Sequence, residues 1–336
     1  MSEFRQDPSS GNWVIIAPGR AGRPTNLKSD HPKRVPAPKA TCPFEDLEKS
    51  GNWPPIAAYP TTEHWKIALI PNKYPALSEH DGVCSVPFHH GLYFGRTGVG
   101  FHDLTVTRDH NKQFVDLDRA TALRVMEIFQ DRARAGAEDP CITYVVPFYN
   151  FGPKAGGSIW HPHYQILGLP VVPSHSARMH ERSESYFKEN HRCLRCDTIR
   201  ADKKEGKRVV AENRHAIAIA PYASRLPFEV RIMPKKHYPY FYKTPKPVVR
   251  DVTALIQRVL RSIKDQLGDP DFNLFIHEAP LDKKVHRYHH WHAELFPRIT
   301  VPAGFEFSTG IYINTADPEA AALILRGKAK AARAYH

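Results

Sequence analysis

The stretch SIWHPHYQ occupies residues 158–165, and HHWHAELF occupies residues 289–296. Each contains two histidines spaced two apart, and a long polar side chain, Gln165 or Glu294, follows the second histidine at the same spacing. Alternate residues of a β-strand point to the same face. Each stretch therefore predicts a strand that carries a polar triplet on one side.

Each of the two stretches lies at the end of a longer segment, and the two segments share a weakly similar order of motifs. Such self-similarity indicates a repeated structural unit. The copies begin at Cys42 in CPFE and at Cys193 in CLRC, 151 residues apart (42 to 193). His163 and His292 are only 129 residues apart (163 to 292), so the first copy holds an insertion of about twenty residues. We place this insertion in residues 78–100, which are rich in turn-forming residues.

Each copy also predicts one long amphipathic helix. Within residues 244–268, apolar side chains recur at helical spacing, Pro247 suits the first turn and Gly268 suits the C-terminal cap. The corresponding helix of the first copy lies within residues 115–137, with Met126 and Phe129 among its inward side chains. A segment rich in β-forming residues follows each helix.

This alternation of strands with one long helix predicts an α+β protein, with antiparallel sheets packed together and helices on their faces. We expect two halves, residues 1–172 and 173–336, joined by a link around residues 171–182.

Composition is that of a globular protein, with 41% hydrophobic and 24% charged residues in 336. No run approaches the roughly 18 apolar residues of a membrane helix, and the first residues do not resemble a secretory signal. The expected location is cytoplasmic. Five cysteines are few and odd in number, so we interpret them as reduced thiols or metal ligands rather than a disulfide framework.

The formal charge of +12 favours anionic partners. The densest basic cluster comprises Lys203, Lys204, Lys207 and Arg208, which we interpret as a solvated turn. No nucleic-acid-binding motif accompanies it, so nucleic acid is not the expected partner.

The chemistry is predicted at residues 150–165. The loop NFGPKAGGS, residues 150–158, supplies glycines whose backbone amides can approach phosphate oxygens closely. An imidazole such as that of His163 can attack phosphorus and later leave it. Alone, His-Pro-His is typical of a surface turn with two solvated histidines; the loop before it and Gln165 after it favour the catalytic interpretation.

This signature resembles that of the galactose-1-phosphate uridylyltransferases, members of the histidine-triad superfamily with two such folds in one chain. The similarity extends over nearly the whole sequence, including DPSSGNWVIIAPGRAGRP at residues 7–24, PNKYPAL at 71–77 and AGFEFSTGIYIN at 303–314.

The resemblance implies that His163 is the nucleophile and that Ser158 and Gln165 hold phosphate oxygens. It implies a homodimer in which the C-terminal segment of one subunit completes the sugar site of the other. The residues implied for substrate binding are Arg20, Arg23, Asn72, Asn150, Phe305 and Glu306.

Two metal sites are predicted from ligands that repeat in register. Zinc prefers four ligands drawn from Cys, His and carboxylate, and relatives carry zinc with this ligand order. The first set is Cys42, Glu45, His110 and His161, and the second is Cys193, Cys196, His237 and His290. One or two zinc ions per chain are therefore expected, as structural rather than chemical groups.

The first set departs from the family, because Glu45 stands where the pattern CPFC has a thiolate. Either glutamate ligates zinc or the site is lost and Glu45 is merely exposed. For the second set, the alternative is a redox or buried cysteine pair. His277 matches one iron ligand of some relatives, but the sequence offers no convincing partner glutamate there, so iron is not predicted.

The second copy is predicted to be chemically silent. His292 and Glu294 correspond to His163 and Gln165, but no glycine loop precedes them, and a carboxylate would repel phosphate. We interpret His292 as structural.

The leading functional hypothesis is transfer of a uridylyl group between UDP-glucose and galactose 1-phosphate through a covalent histidine intermediate. A nucleotide-sugar phosphorylase, using phosphate and an ADP-sugar, keeps the same nucleophile, as does a related histidine-triad hydrolase. The alternative from another class is a non-catalytic nucleotide- or nucleic-acid-binding protein.

Overall fold

The structure, a computed structural model, describes residues 2–22, 35–282 and 286–331. Ten strands form one continuous sheet. From one edge to the centre they are β3 (Ala57–Tyr59), β4 (Ile67–Pro71), β7 (Phe101–Thr107), β9 (His163–Leu169) and β8 (Tyr144–Phe151). From the centre to the other edge they are β13 (Phe272–His277), β14 (His292–Pro297), β12 (Val230–Pro234), β11 (Ala216–Ile219) and β10 (Val209–Glu212).

The two lists mirror each other strand for strand, which is the repeat seen in the sequence. The halves meet where β8 pairs antiparallel with β13, with Asn150 opposite Asn273. The predicted α+β class with antiparallel strands is therefore correct, but the two sheets join edge to edge instead of packing face to face. The division at residue 172 stays a prediction.

Two long helices cover one face of this sheet. They are α1 (Arg119–Glu138) and α4 (Lys246–Leu267), and they pack against each other. α1 also packs on β8, β9 and β4, and α4 packs on β10, β11 and β12. Asp118 caps α1 by accepting hydrogen bonds from two backbone amides, and Gly268 ends α4 with a φ of 74°. The predicted apolar stripe of α4 is buried: Val248, Val252, Leu255, Ile256, Val259, Ile263 and Leu267.

Successive side chains of β9 point alternately into the core and toward the predicted active-site residues. Tyr164 and Ile166 belong to the core under α1 and α4, so His163 and Gln165 point to the opposite face of the sheet. The same holds for β14, where Ala293 lies in the core and Glu294 faces the other way.

Three smaller strands form a separate sheet of N- and C-terminal residues: β1 (Glu3–Gln6), β2 (Trp13–Ile16) and β15 (Tyr312–Asn314). The shorter helices α5 (Gly304–Thr309) and α6 (Pro318–Leu325) flank β15 in the chain. The predicted insertion folds as the hairpin β5 (Pro87–His90) and β6 (Tyr93–Arg96), outside the main sheet.

The link around residues 171–182 is mostly helical, because α2 spans Ser174–Asn190 and is followed by α3, Leu194–Glu205. One expectation from the sequence was wrong. The cysteines are not all reduced thiols or metal ligands, since Cys84 and Cys141 form a disulfide. Among the described residues, no helix is long and apolar enough to cross a membrane. The cytoplasmic location stays a prediction.

Candidate active site and metal-ligand clusters

The glycine loop between β8 and β9 is held by residues of the second half. Gly152 has a φ of 83°, and a Cβ atom there would lie 2.3 Å from the carboxylate of Asp271. That carboxylate accepts a hydrogen bond from the amide of Lys154 at 2.6 Å. The loop closes on itself through the Gly157 amide, which donates to the Gly152 carbonyl at 2.9 Å. Only glycine fits at position 152, and the loop shape depends on Asp271.

Asn150 is fixed across the seam between the halves. The Asn273 side-chain amide donates to Asn150 Oδ1 and to the Ala155 carbonyl, both at 2.8 Å. One side chain therefore links the predicted phosphate-positioning residue to the loop. Ser158, at the end of the loop, is exposed.

His163 is placed as a nucleophile would be. Its side chain is 6% exposed, and Nδ1 lies 3.0 Å from the carbonyl oxygen of His161. A carbonyl can only accept, so Nδ1 carries the proton and Nε2 keeps a free lone pair. Burial lowers the pKa of His163, which favours the uncharged, nucleophilic ring.

His102 of β7 connects two other predicted residues. Its Nε2 lies 3.0 Å from Gln165 Oε1, and its Nδ1 accepts from the Ala76 amide at 3.2 Å. The Asn72 side-chain amide lies 3.2 Å from Nε2. Gln165 and Asn72 are therefore brought to one place, with His102 between them.

The first predicted metal set is assembled in one cluster. The ligand atoms of Cys42, Glu45, His110 and His161 all lie within 4.8 Å of one another. His110 Nδ1 lies 2.9 Å from Glu45 Oε1, and His161 Nδ1 lies 3.5 Å from Cys42 Sγ. Both rings donate through Nε2 to backbone carbonyls, of Ala37 and Thr107. Such outer bonds orient imidazoles toward a metal, so the donor set and its support fit zinc.

The second set is likewise assembled. Cys196 Sγ lies 3.5 Å from His237 Nδ1 and 3.4 Å from His290 Nδ1, and the ligand atoms of these three residues and Cys193 lie within 4.8 Å of one another. Hydrogen bonding from Cys196, and then from both histidines, lowers the pKa of Cys193. Two cysteine sulfurs and two imidazole nitrogens are the donor set of a structural zinc site.

The second-half counterpart of the nucleophile has different surroundings. His292 is fully buried and stacks on His277, with ring centroids 5.1 Å apart. Glu294 is paired with two arginines, Arg225 and Arg231. The ligand atoms of His277, His292 and Glu294 lie close enough together to hold a metal, a grouping that the sequence did not suggest. Both carboxylate oxygens already face guanidinium groups, so a cation here would compete with them.

Three predicted substrate residues, Arg20, Phe305 and Glu306, are not assembled around His163 by the described contacts. Arg20 is exposed in the 3-10 helix Pro18–Gly22, and Arg23 lies outside the described residues. Phe305 is 42% exposed on α5, which packs against β15. The Glu306 carboxylate accepts from the Ala303 amide at 2.8 Å, capping its own short helix.

Sequence reasoning missed His102, Asp271 and Asn273. His102 shares one face of β7 with the apolar residues Leu104 and Val106, so strand alternation gave no signal that separates it from them. Asp271 and Asn273 act on a loop more than one hundred residues earlier, so only the pairing of β8 with β13 reveals them.

Comparison with known proteins agrees with this geometry. A family model described as a domain of unknown function, DUF4921, matches residues 100–333. ADP-glucose phosphorylase of Arabidopsis thaliana is 34% identical over 328 residues, covering 96% of this chain and 92% of the relative. Galactose-1-phosphate uridylyltransferase of Thermotoga maritima is 26% identical over 337 residues, covering 97% and 98%.

Solved structures give the same result. The crystal structure of an Arabidopsis thaliana ADP-glucose phosphorylase with bound ADP-glucose has a TM-score of 0.83 at 31% identity, covering 97% of this chain and 99% of that one. A uridylyltransferase structure, 24% identical with a TM-score of 0.74 and 98% coverage of both chains, shares the fold. The chain therefore belongs to the family of galactose-1-phosphate uridylyltransferase-like enzymes, which includes ADP-glucose phosphorylase.

Proposed function

We propose that this protein is a nucleotide-sugar phosphorylase that works through a nucleotidyl group carried on His163. The observation that carries the proposal is the buried His163 ring, whose Nδ1–H donates a hydrogen bond to the His161 carbonyl, so that Nε2 keeps a lone pair for attack. The 34% identical ADP-glucose phosphorylase supports an ADP-sugar as donor and phosphate as acceptor.

The proposed reaction has two steps. His163 Nε2 attacks the α-phosphorus, a P–N bond forms, and the P–O bond to the sugar phosphate breaks, releasing sugar 1-phosphate. An oxygen of inorganic phosphate then attacks the same phosphorus, the P–N bond breaks, and a nucleoside diphosphate leaves. Covalent catalysis of this kind divides one transfer into two easier steps.

The neighbouring residues receive roles from their positions and from the family resemblance. We propose that Gln165, oriented by His102, and Ser158 donate hydrogen bonds to phosphate oxygens, with Asn150 aligned by Asn273. Donors fixed in place before reaction stabilise developing charge most effectively. The remaining residues keep the roles that the resemblance implies: phosphate contact for Arg20 and Arg23, nucleotide contact for Asn72 and sugar contact for Phe305 and Glu306.

A second candidate is uridylyl transfer between UDP-glucose and galactose 1-phosphate, favoured by the Thermotoga maritima relative. It uses the same covalent intermediate and differs only in base and acceptor. A homodimer, in which a partner's C-terminal segment reaches the sugar site, stays a prediction.

Kinetics separate these functions. A covalent intermediate releases the first product before the second substrate binds, so we expect parallel double-reciprocal lines. Labelled glucose 1-phosphate should exchange into nucleotide sugar without an acceptor, and net turnover of ADP-glucose should require phosphate. Turnover that needs galactose 1-phosphate instead would establish the second candidate, and release of nucleotide by water alone would indicate a hydrolase. Intersecting lines with no exchange for any nucleotide sugar would refute the covalent mechanism.

We also propose that zinc occupies the two four-residue clusters as a structural ion. In the first cluster, a metal on His161 Nδ1 would fix the residue whose carbonyl orients His163. Glu45 would complete the site in place of a second thiolate, since carboxylate oxygen is an accepted zinc ligand.

Metal analysis of variants tests this proposal. Cys193→Ser should remove one zinc per chain and lower the melting temperature by roughly 5–10 °C, because ligand loss removes folding free energy. Glu45→Ala should remove the other zinc, whereas Glu48→Ala, at an exposed neighbouring glutamate, should leave both. Full zinc content in a Cys193/Cys196 double variant would exclude the second site, and full content in Glu45→Ala would exclude Glu45 as a ligand.

A further inference from the structure

A third group of potential ligands lies away from both clusters, where the insertion meets the end of α1. His80 and Cys84 come from residues 78–100, and Asp139 and Cys141 follow α1. Cys84 and Cys141 are disulfide-bonded, and His80 Nε2 lies 2.7 Å from Asp139 Oδ2. The ligand atoms of His80, Asp139 and Cys141 all lie within 4.8 Å of one another. Two sulfurs, an imidazole and a carboxylate are thus gathered at one point.

The surroundings of this group suit a cation. Asp139 caps the C-terminus of α1, the negative end of the helix dipole. Its second oxygen accepts from the Cys141 amide at 2.8 Å, which leaves Oδ2 directed at His80. A carboxylate held by an outer hydrogen bond is a preorganised ligand.

The disulfide is reachable from solvent on one side only. Cys141 is 4% exposed, whereas Cys84 lies on an exposed part of the insertion. A reductant can therefore attack at Cys84, and Cys141 would be released as the buried thiol. The His80 and Asp139 side chains are 18% and 25% exposed, so an ion can enter from the same side.

We propose that Cys84, Cys141, His80 and Asp139 form a zinc site that opens when the disulfide is reduced. A dithiol reductant gives two electrons and two protons to the Cys84–Cys141 bond and becomes a disulfide itself, leaving two thiols. Zn²⁺ then displaces both thiol protons and binds two thiolates, the His80 ring and the Asp139 carboxylate. Such mixed Cys, His and carboxylate sets are within the range that zinc accepts.

His80 must change its tautomer for this step. In the disulfide form, His80 Nδ1 accepts a hydrogen bond from the Gly82 amide at 3.2 Å. Nε2 therefore carries the ring proton and donates a hydrogen bond to Asp139. Zinc on Nε2 would move that proton to Nδ1 and free the Gly82 amide. Gly82 is exposed, so water can take over the hydrogen bond at small cost.

The site would hold the insertion against the end of α1 under both oxidising and reducing conditions. The disulfide joins positions 57 residues apart and attaches the insertion, with its β5–β6 hairpin, to α1. Zinc at the same four residues would keep that attachment under reducing conditions. This inference does not depend on the proposed activity, because neither His163 nor the other two clusters take part.

Zinc stoichiometry in the full-length protein tests the site. Protein treated with a phosphine reductant, equilibrated with Zn²⁺ and washed should hold one more zinc per chain than untreated protein. Cys84→Ser/Cys141→Ser should hold the lower number under both conditions. Equal zinc in reduced wild type and the double variant would overturn the proposal.

Alkylation of Cys84 gives a second readout that does not depend on the folding of a double variant. In reduced wild type, zinc should slow iodoacetamide labelling of Cys84 by at least tenfold, measured by peptide mass spectrometry. His80→Ala should lose this protection, while His89→Ala, on the exposed hairpin, should keep it. Labelling of wild-type Cys84 at the same rate with and without zinc would also overturn the proposal.

Discussion

His163→Asn is expected to lower kcat by roughly 10⁴-fold or more, the order that loss of a covalent nucleophile costs in other enzymes. Asparagine keeps a polar side chain of similar reach but cannot attack phosphorus. Wild-type protein incubated with labelled nucleotide sugar should retain acid-labile, base-stable label, as a P–N bond requires. The variant should retain none, and its melting temperature should stay close to that of the wild type.

His292→Asn is the matched control, because His292 occupies the corresponding position of β14. It is buried against His277 and lies beside an arginine-paired glutamate, so this substitution should cost stability while still allowing label to accumulate on His163. Full activity in His163→Asn, or label lost only in His292→Asn, would move the nucleophile out of the first half.

The features predicted correctly from the sequence are those that depend on the spacing of side chains along one strand or helix and on the internal repeat. His163 and Gln165 were correctly placed on one face of a strand, because side-chain alternation needs no knowledge of the rest of the fold, whereas His161 lies just before β9. The buried stripe of α4 followed in the same way from helical spacing. Both four-residue clusters were found because their ligands repeat in register, and the structure brings each set together.

What the sequence did not predict depends on pairing between distant strands. Nothing local indicates that β8 and β13 are neighbours, so one continuous sheet could not be told from two packed sheets. Polar residues at that seam, such as Asn273, could not be assigned to the loop they hold. α2 was missed because a polar segment between two halves resembles a link when its few buried positions are unknown.

The pairing of β8 with β13 also brings residues of the second half to the proposed active site of the first. Asp271 and Asn273 lie two apart at the start of β13, and both reach the glycine loop. In the second half, His292 and Glu294 occupy the positions of His163 and Gln165, and we expect no phosphate chemistry there. This half still contacts the glycine loop through Asp271 and Asn273.

Gly152→Ala is the substitution that tests this support, and it is expected to lower kcat about 100-fold, the effect that a displacement near 1 Å can have on a reacting group. The new Cβ would lie 2.3 Å from the Asp271 carboxylate, so that carboxylate must leave the Lys154 amide or the loop must move. Either change displaces Ser158 and the loop amides relative to His163. Zinc content should be unchanged, and steady-state kinetics with metal analysis would measure both.

Gly206→Ala is a control for a positive φ without the clash. Gly206 ends α3 with a φ of 70° and a ψ of −7°, whereas Gly152 has a φ of 83° and a ψ of 162°, and nothing lies within 4 Å of the Cβ added at Gly206. It should therefore cost about 1 kcal/mol of stability and leave kcat unchanged. If both variants lost activity equally, a side chain at a positive φ would be the cause, and the clash with Asp271 would not. If Gly152→Ala kept full activity, the loop would not need Asp271, and the second half would have no part in positioning the phosphate site.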